Sequence, residues 1–133
     1  MSEKAAPRRI LVVDDNKTIT DMMANYLSLK SNYDCVVSNS AKSALSLIDT
    51  REFDVIILDL SMPEYSGLDL IDYLVANERI KECKIIVFTA SSITDKEIRD
   101  LIKKGVRSVV RKPIKLTELL EIIKVTSGEM PLV

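Results

Sequence analysis

Short apolar runs alternate along the chain with stretches whose apolar residues recur every three or four positions. Ile10–Val13 is a compact run, mostly β-branched, that stops abruptly at Asp14-Asp15. Ile19, Met22, Met23, Tyr26 and Leu27 follow at helical spacing. Tyr33–Val37 reads as a second strand, and Ser40 caps a helix striped by Ala41, Ala44, Leu45 and Ile48. Val55–Leu58 is a wholly apolar strand ending at Asp59, ahead of the stripe Leu68, Ile71, Leu74 and Val75. Ile85–Phe88 ends at Thr89; beyond it Ile98, Leu101 and Ile102 mark a fourth helix, with Thr94 as cap and Gly105 as stop. Val109-Val110 is a short fifth strand leading to Lys112-Pro113. The last helix carries Leu116, Leu119, Leu120 and Ile123, and Gly128 and Pro131 end it.

Five strand–helix units in strict alternation, with strands apolar on both faces, predict an α/β fold built on a parallel sheet covered from both sides. Its crossovers are right-handed. A chain of 133 residues suits an open five-stranded sheet better than a closed eight-stranded barrel, which needs ~250 residues. It also suits a single domain, able to bury enough surface to fold without disulfides or a structural metal. Ligands of such sheets bind at the carboxyl ends of the strands, near a topological switch point.

Composition narrows the chemistry. Hydrophobic residues make up 47% and charged residues 29%, too apolar for disorder. Nineteen basic and twenty acidic residues leave a net charge of −1, which argues against direct binding of nucleic acid or an anionic membrane. With no histidine, imidazole catalysis and histidine-ligated zinc are excluded. Gly67, Gly105 and Gly128 stand too far apart for a phosphate-cradling glycine loop. Cys35 and Cys83 form no CxxC pair and suit a reducing compartment. Cys35 reads as core and Cys83 as a strand-edge thiol; Phe88 and the Met22–Met23 pair read as packing. The polar start MSEKAAPRR resembles no signal peptide, and no apolar run approaches membrane-spanning length, so a cytoplasmic location is expected.

The strand ends carry what remains. Asp14-Asp15, Asp59, Thr89 and Lys112 would all project into one crevice. Three carboxylates that close repel one another, so a pKa rises or a cation binds. Oxygen donors completed by water suit Mg²⁺. With a lysine and a hydroxyl beside them, the set makes a cradle for a phosphoryl group. Taken singly, each residue has a plainer reading: Asp15 or Asn16 as a helix cap, Thr89 or Lys112 as solvated surface. Their joint placement at the ends of strands one, three, four and five reverses that weighting.

Asp14-Asp15, the stretch Asp59-Leu60-Ser61-Met62-Pro63 with Gly67 beyond it, Thr89-Ala90 and Lys112-Pro113 resemble the receiver domain of two-component response regulators. The nearest type is the stand-alone, chemotaxis-regulator-like receiver. The resemblance implies a flavodoxin-like (βα)5 sheet in the order 2-1-3-4-5. It places the receiver at residues 8–126, between a flexible tail at 1–7 and a short tail at 127–133. Asp59 would be the phosphoacceptor, taking a phosphoryl group from the phosphohistidine of a sensor histidine kinase. Asp15, Asp59 and the Ser61 backbone carbonyl would bind Mg²⁺, with Asp14 acting through water. Lys112 would pair with the phosphoryl oxygens, and Thr89 would hydrogen-bond to them. The Lys112–Pro113 peptide is expected to be cis, at small cost for an X-Pro bond.

On this reading the chain is a signalling switch that assists its own phosphorylation and dephosphorylation, not a turnover enzyme. Its partners are a sensor kinase and a target or histidine phosphotransfer protein, and it is a monomer or a weak, activation-dependent dimer. One position departs from the family: Val109 stands where Tyr or Phe is usual, three residues before the lysine. A stiff valine has no ring to swing, which shifts the expected transmission to the loop after Thr89 and the fourth helix. Ser61 and Ser91 occupy the positions that tune phosphoryl lifetime. Lys103, Lys104, Arg107, Arg111 and Lys115 form either a basic docking face or, the favoured reading, a solvated helix end meeting the carbonyl dipole. The alternatives are a phosphorylation-independent binding module and, more weakly, a phosphohydrolase of the haloacid dehalogenase type. The latter needs an aspartate where Asn16 stands.

Overall fold

The computed structural model describes residues 7–90 and 92–129. The elements run β1 (Arg9–Val13), α1 (Lys17–Lys30), β2 (Asp34–Ser38), α2 (Ala41–Thr50), β3 (Val55–Leu58), α3 (Gly67–Ala76), α4 (Ile80–Cys83), β4 (Ile85–Thr89), α5 (Asp95–Lys104), β5 (Ser108–Arg111) and α6 (Leu116–Thr126). All the strand pairings are parallel, and the sheet order is β2-β1-β3-β4-β5, as expected.

The period of two along each strand explains why the runs are apolar throughout. Leu11, Val13, Ile56, Leu58, Ile85 and Val87 face one side, against Ala44 and Ile48 of α2, Leu70, Ile71 and Leu74 of α3, and Leu101 of α5. Ile10, Val12, Val55, Ile57, Ile86, Phe88 and Val110 face the other, against Met23 and Leu27 of α1 and Leu119 and Ile123 of α6. A fully buried Ile or Leu of this kind is worth ~1.5–3 kcal/mol, so two filled faces account for a sheet that needs no cross-link.

Side-chain caps set the helix starts that aim the loops. Asn16 accepts from the Ile19 amide and Ser40 from the Ser43 amide. Ser66 with Asp69, and Thr94 with Glu97, form reciprocal capping boxes. Gly105 ends α5 with φ 118, a left-handed conformation that a side chain would resist.

Several expectations are corrected. β1, β4 and β5 reach one residue beyond their apolar runs at one or both ends, β2 is displaced by one residue toward Ser38, and β3 spans Val55–Leu58 as expected. The one-turn α4 has no apolar stripe to announce it; Arg79 holds it by bonding to Asp49 and the Ile48 carbonyl of α2 and, at 3.4 Å, to Glu82. That turn buries Cys83, which is no strand-edge thiol, while Cys35 is only half-buried at the edge strand β2. Met22 is 50% exposed although Met23 is buried, because α1 offers the core a narrower stripe than its apolar residues span. Leu68, Val75 and Ile102 are also exposed in part, at 42%, 38% and 44%. Ser127 and Glu129 also bond to earlier parts of the chain: Arg8 donates to the Ser127 carbonyl, and the Tyr33 hydroxyl to Glu129. Residues 1–6, Ser91 and Pro131 lie outside the described residues. No helix among those described is long and apolar enough to cross a membrane.

Candidate functional site

Two ladder bonds carry the acidic loops outward from the sheet. The Asp14 amide donates to the Ser38 carbonyl (3.1 Å), and the Asp59 amide to the Val13 carbonyl (2.9 Å). The carboxylates of Asp14, Asp15 and Asp59 thereby converge, with one oxygen of each within 4.8 Å of the others. Asp14 and Asp59 are buried, at 3% and 6% exposure, while Asp15 opens to solvent. Asp14 accepts from the Asn16 amide at 2.9 Å, and Asp59 from the Ser61 amide at 3.2 Å.

Lys112 enters from β5, across the sheet. Its amide donates to the Thr89 carbonyl at 2.7 Å, and the Lys112–Pro113 peptide is cis. Its Nζ lies 2.9 Å from Asp14 Oδ2 and 3.7 Å from Asp59 Oδ2. Burial, and next the Asp14 charge, push the Asp59 carboxyl above the ordinary carboxylate value, against the opposing pull of Lys112. The crowded-carboxylate expectation therefore has a structural counterpart. Hard oxygen donors, one of them solvent-facing, fit a divalent cation such as Mg²⁺.

Thr89 is buried at the end of β4 and borders, with Leu60, Ser61, Ser66 and Ile93, a cleft of about 310 Å³ beside the carboxylates. Asp14, Asp15 and Asp59 do not line that cleft, which Leu60 and Ser61 connect in sequence to Asp59. Gly67 is demanded by close approach, since a Cβ there would stand 2.8 Å from the Leu60 Cα and closer still to the Asp59 carbonyl oxygen. The basic cluster is partly spent on pairing: Lys104 bonds Asp72 and Arg111 bonds Asp95. A larger cleft of about 440 Å³ lies at the opposite end of the sheet, and the Arg79 lining it is already paired.

Two residues contact the site's groups beyond those the sequence points to. The Asn39 amide donates to the Asp14 carbonyl (2.8 Å) and the Thr20 hydroxyl (3.0 Å), pinning the acidic loop to α1. Its signal is positional, since it follows β2 at the same edge of the sheet. Phe88, expected only to pack, places its ring centroid 5.1 Å from the Lys112 Nζ.

The model of the response regulator receiver domain matches residues 10–124. This chain belongs to the receiver-domain family. The receiver is 32% identical over 121 residues to the chemotaxis protein CheY1 of Helicobacter pylori, covering 90% of this chain and 97% of that protein. It is 32% identical over 117 residues to the phosphate regulon transcriptional regulatory protein PhoB of Pseudomonas aeruginosa, covering 88% of this chain but only half of PhoB. A response regulator receiver protein from Pseudomonas putida superposes with a TM-score of 0.81 at 33% identity, over 91% of this chain and 98% of that one. Receivers are phosphorylation-based switches in two-component signal transduction, and in general signalling domains, not classical enzymes.

Proposed function

We propose that Asp59 accepts a phosphoryl group from the phosphohistidine of a sensor histidine kinase, and that the altered surface regulates a partner protein or passes the group on. The observation that carries this reading is the buried Asp59 carboxylate, crowded by two others and faced by a lysine 3.7 Å away. An Asp59 oxygen attacks phosphorus, the donor's N–P bond breaks, and the imidazole leaves with a proton from solvent. Such a transfer needs in-line placement and charge neutralisation more than an acid–base residue, so a site without histidine suffices.

Each remaining residue has a part. Lys112 leaves Asp14 to pair with the phosphoryl oxygens, and Thr89 bonds them from its flanking position. Asp15, Asp59 and the Ser61 carbonyl would hold Mg²⁺, with Asp14 acting through water; the ion would offset the charge that the phosphoryl group adds. Transmission then runs through the loop after Thr89 to α5, because Val109 offers no ring. Arg111, on the same face as Val109, donates to the Ile93 carbonyl (3.2 Å) and to Asp95 (2.9 Å) and so ties β5 to that loop.

Intact mass after incubation with a small phosphodonor tests the assignment, with and without Mg²⁺ and alongside Asp59→Asn. One phosphoryl group added only with the metal, and absent from the variant, is the expected result. No addition to the folded wild-type chain by either the small donor or a histidine kinase would leave the phosphorylation-independent binding module standing.

A further inference from the structure

We propose that Phe88 is a positioning residue for Lys112: its ring face supports the lysine ammonium and fixes where the neutralising charge stands. The inference rests on Lys112 being the cation that meets the phosphoryl group.

A lysine is a compact charge on a flexible four-carbon stem, so its backbone anchor alone leaves the ammonium many positions. Here three contacts converge on Nζ: Asp14 at 2.9 Å, Asp59 at 3.7 Å and the Phe88 ring centroid at 5.1 Å. The two carboxylates draw the ammonium across the crevice toward β1 and β3. The ring lies on β4, one residue before Thr89, on the sheet face it shares with Val110 and α6. Its negative face attracts a cation within about 6 Å, so it holds the ammonium from beneath while the carboxylates pull sideways. Leucine would fill similar space and offer no such attraction.

The geometry matters because Lys112 must change partners. Its shortest bond is to Asp14, not to the phosphoacceptor. A support that belongs to neither carboxylate lets the ammonium pass from one to the other without swinging into solvent, to which the side chain is already 26% exposed. Consecutive residues of β4 thus serve the phosphoryl group on opposite faces, Phe88 through the lysine and Thr89 directly. Small misplacements of a charge-neutralising group cost rate more than donor binding.

The test compares wild type, Phe88→Leu, Phe88→Tyr and site-specific incorporation of trifluorophenylalanine at position 88, which nearly keeps the ring's shape while weakening its negative face. Phosphorylation by a small donor with Mg²⁺ is followed by intact mass across donor concentrations, together with the ring-current shift of the Lys112 Cε protons. Phe88→Leu should lower the maximal rate about three- to tenfold, with donor half-saturation changing less than twofold. Tyrosine should stay near wild type and the fluorinated ring fall between, with the Cε shift lost in leucine alone. A leucine variant within twofold of wild type, or rates that follow side-chain size and not ring character, would overturn the proposal. If the wild-type chain takes up no phosphoryl group from either the small donor or a histidine kinase, the parent reading fails and this one with it. Normal wild-type phosphorylation with an indifferent Phe88 series sinks only this one.

Discussion

On the side of the crevice where β1 and β3 end, the polar groups are anchored to backbone; where β4 and β5 end, the loop is held largely by exposed side chains. Asp14 is gripped by the Ser38 carbonyl, the Asn16 amide and Lys112, and its own carbonyl by Asn39. Asp59 is gripped by the Val13 carbonyl and the Ser61 amide, with Gly67 pressed against its peptide. Opposite them, beyond the backbone bond from Lys112 to Thr89, the loop after Thr89 is tied to β5 by Arg111, whose partner Asp95 is 82% exposed. Surface ion pairs contribute little, whereas buried and packed contacts resist change. The contrast assigns the division of labour: a fixed acidic platform for the chemistry and a loosely tied loop that yields to it.

The largest expected effect comes from disturbing the platform. Gly67→Ala places a methyl group against the Asp59–Leu60 backbone, which cannot swing aside as a side chain would. Overpacking of this kind should cost about 3 kcal/mol in urea unfolding and depress phosphorylation as well. An unchanged unfolding midpoint would mean the platform is softer than its contacts indicate. Asp59→Asn should act in the opposite direction. Because the folded Asp59 carboxyl titrates above its ordinary value, the folded chain keeps a proton that the unfolded chain has lost. Stability therefore falls as pH rises through that window, and the asparagine variant escapes the loss. Melted in chelator, the variant should be the more stable protein at neutral pH, with the advantage gone below about pH 3.9. An equal advantage at both ends of the pH range would contradict a raised Asp59.

The platform was also the more legible side. Apolar runs ending in Asp14-Asp15 and Asp59 told both the strands and where their carboxylates would meet, because the parallel sheet puts every strand end at one edge. Legibility failed where a side chain's surroundings decide its role. Met22 and Met23 share one stripe in sequence, yet only Met23 meets the core. Cys83 becomes buried through a one-turn helix held by Arg79, a contact with α2 that no local pattern encodes. Phe88 reads as packing until the β4–β5 register brings Lys112 over its ring. Asn39 lacks the acidic signature of its neighbours, since its work is to hold a backbone carbonyl.

Asn39→Ala should give a smaller loss than the glycine variant. It removes a bond to the Asp14 carbonyl and one to Thr20, and each such bond contributes ~1 kcal/mol net. Because Asn39 is itself exposed, water replaces part of this, and about 1 kcal/mol in total is expected by urea unfolding. The amide resonances of Asp14 and Asp15 should shift while those of Thr89 and Ala90 stay in place. Comparable shifts on both sides would erase the distinction between platform and loop.

Arg111→Ala should be the mildest change to stability and the most telling about the loop. Its bonds to the Ile93 carbonyl and Asp95 are exposed, so less than about 0.5 kcal/mol of global stability is at stake, and salt should mimic part of the loss. Local opening is another matter. The segment from Ser92 to Asp95 loses its tie to β5, and Val109, two residues back on the same face, is too short to replace it. Amide exchange there should quicken several-fold while Asp59 and Ser61 exchange as before. If the loop is the part that moves on phosphorylation, untying it should also raise the phosphorylated fraction reached with a small donor. Exchange that quickens equally at the acidic loops would show one cooperative unit, with the signal travelling by some route other than the Arg111 tie.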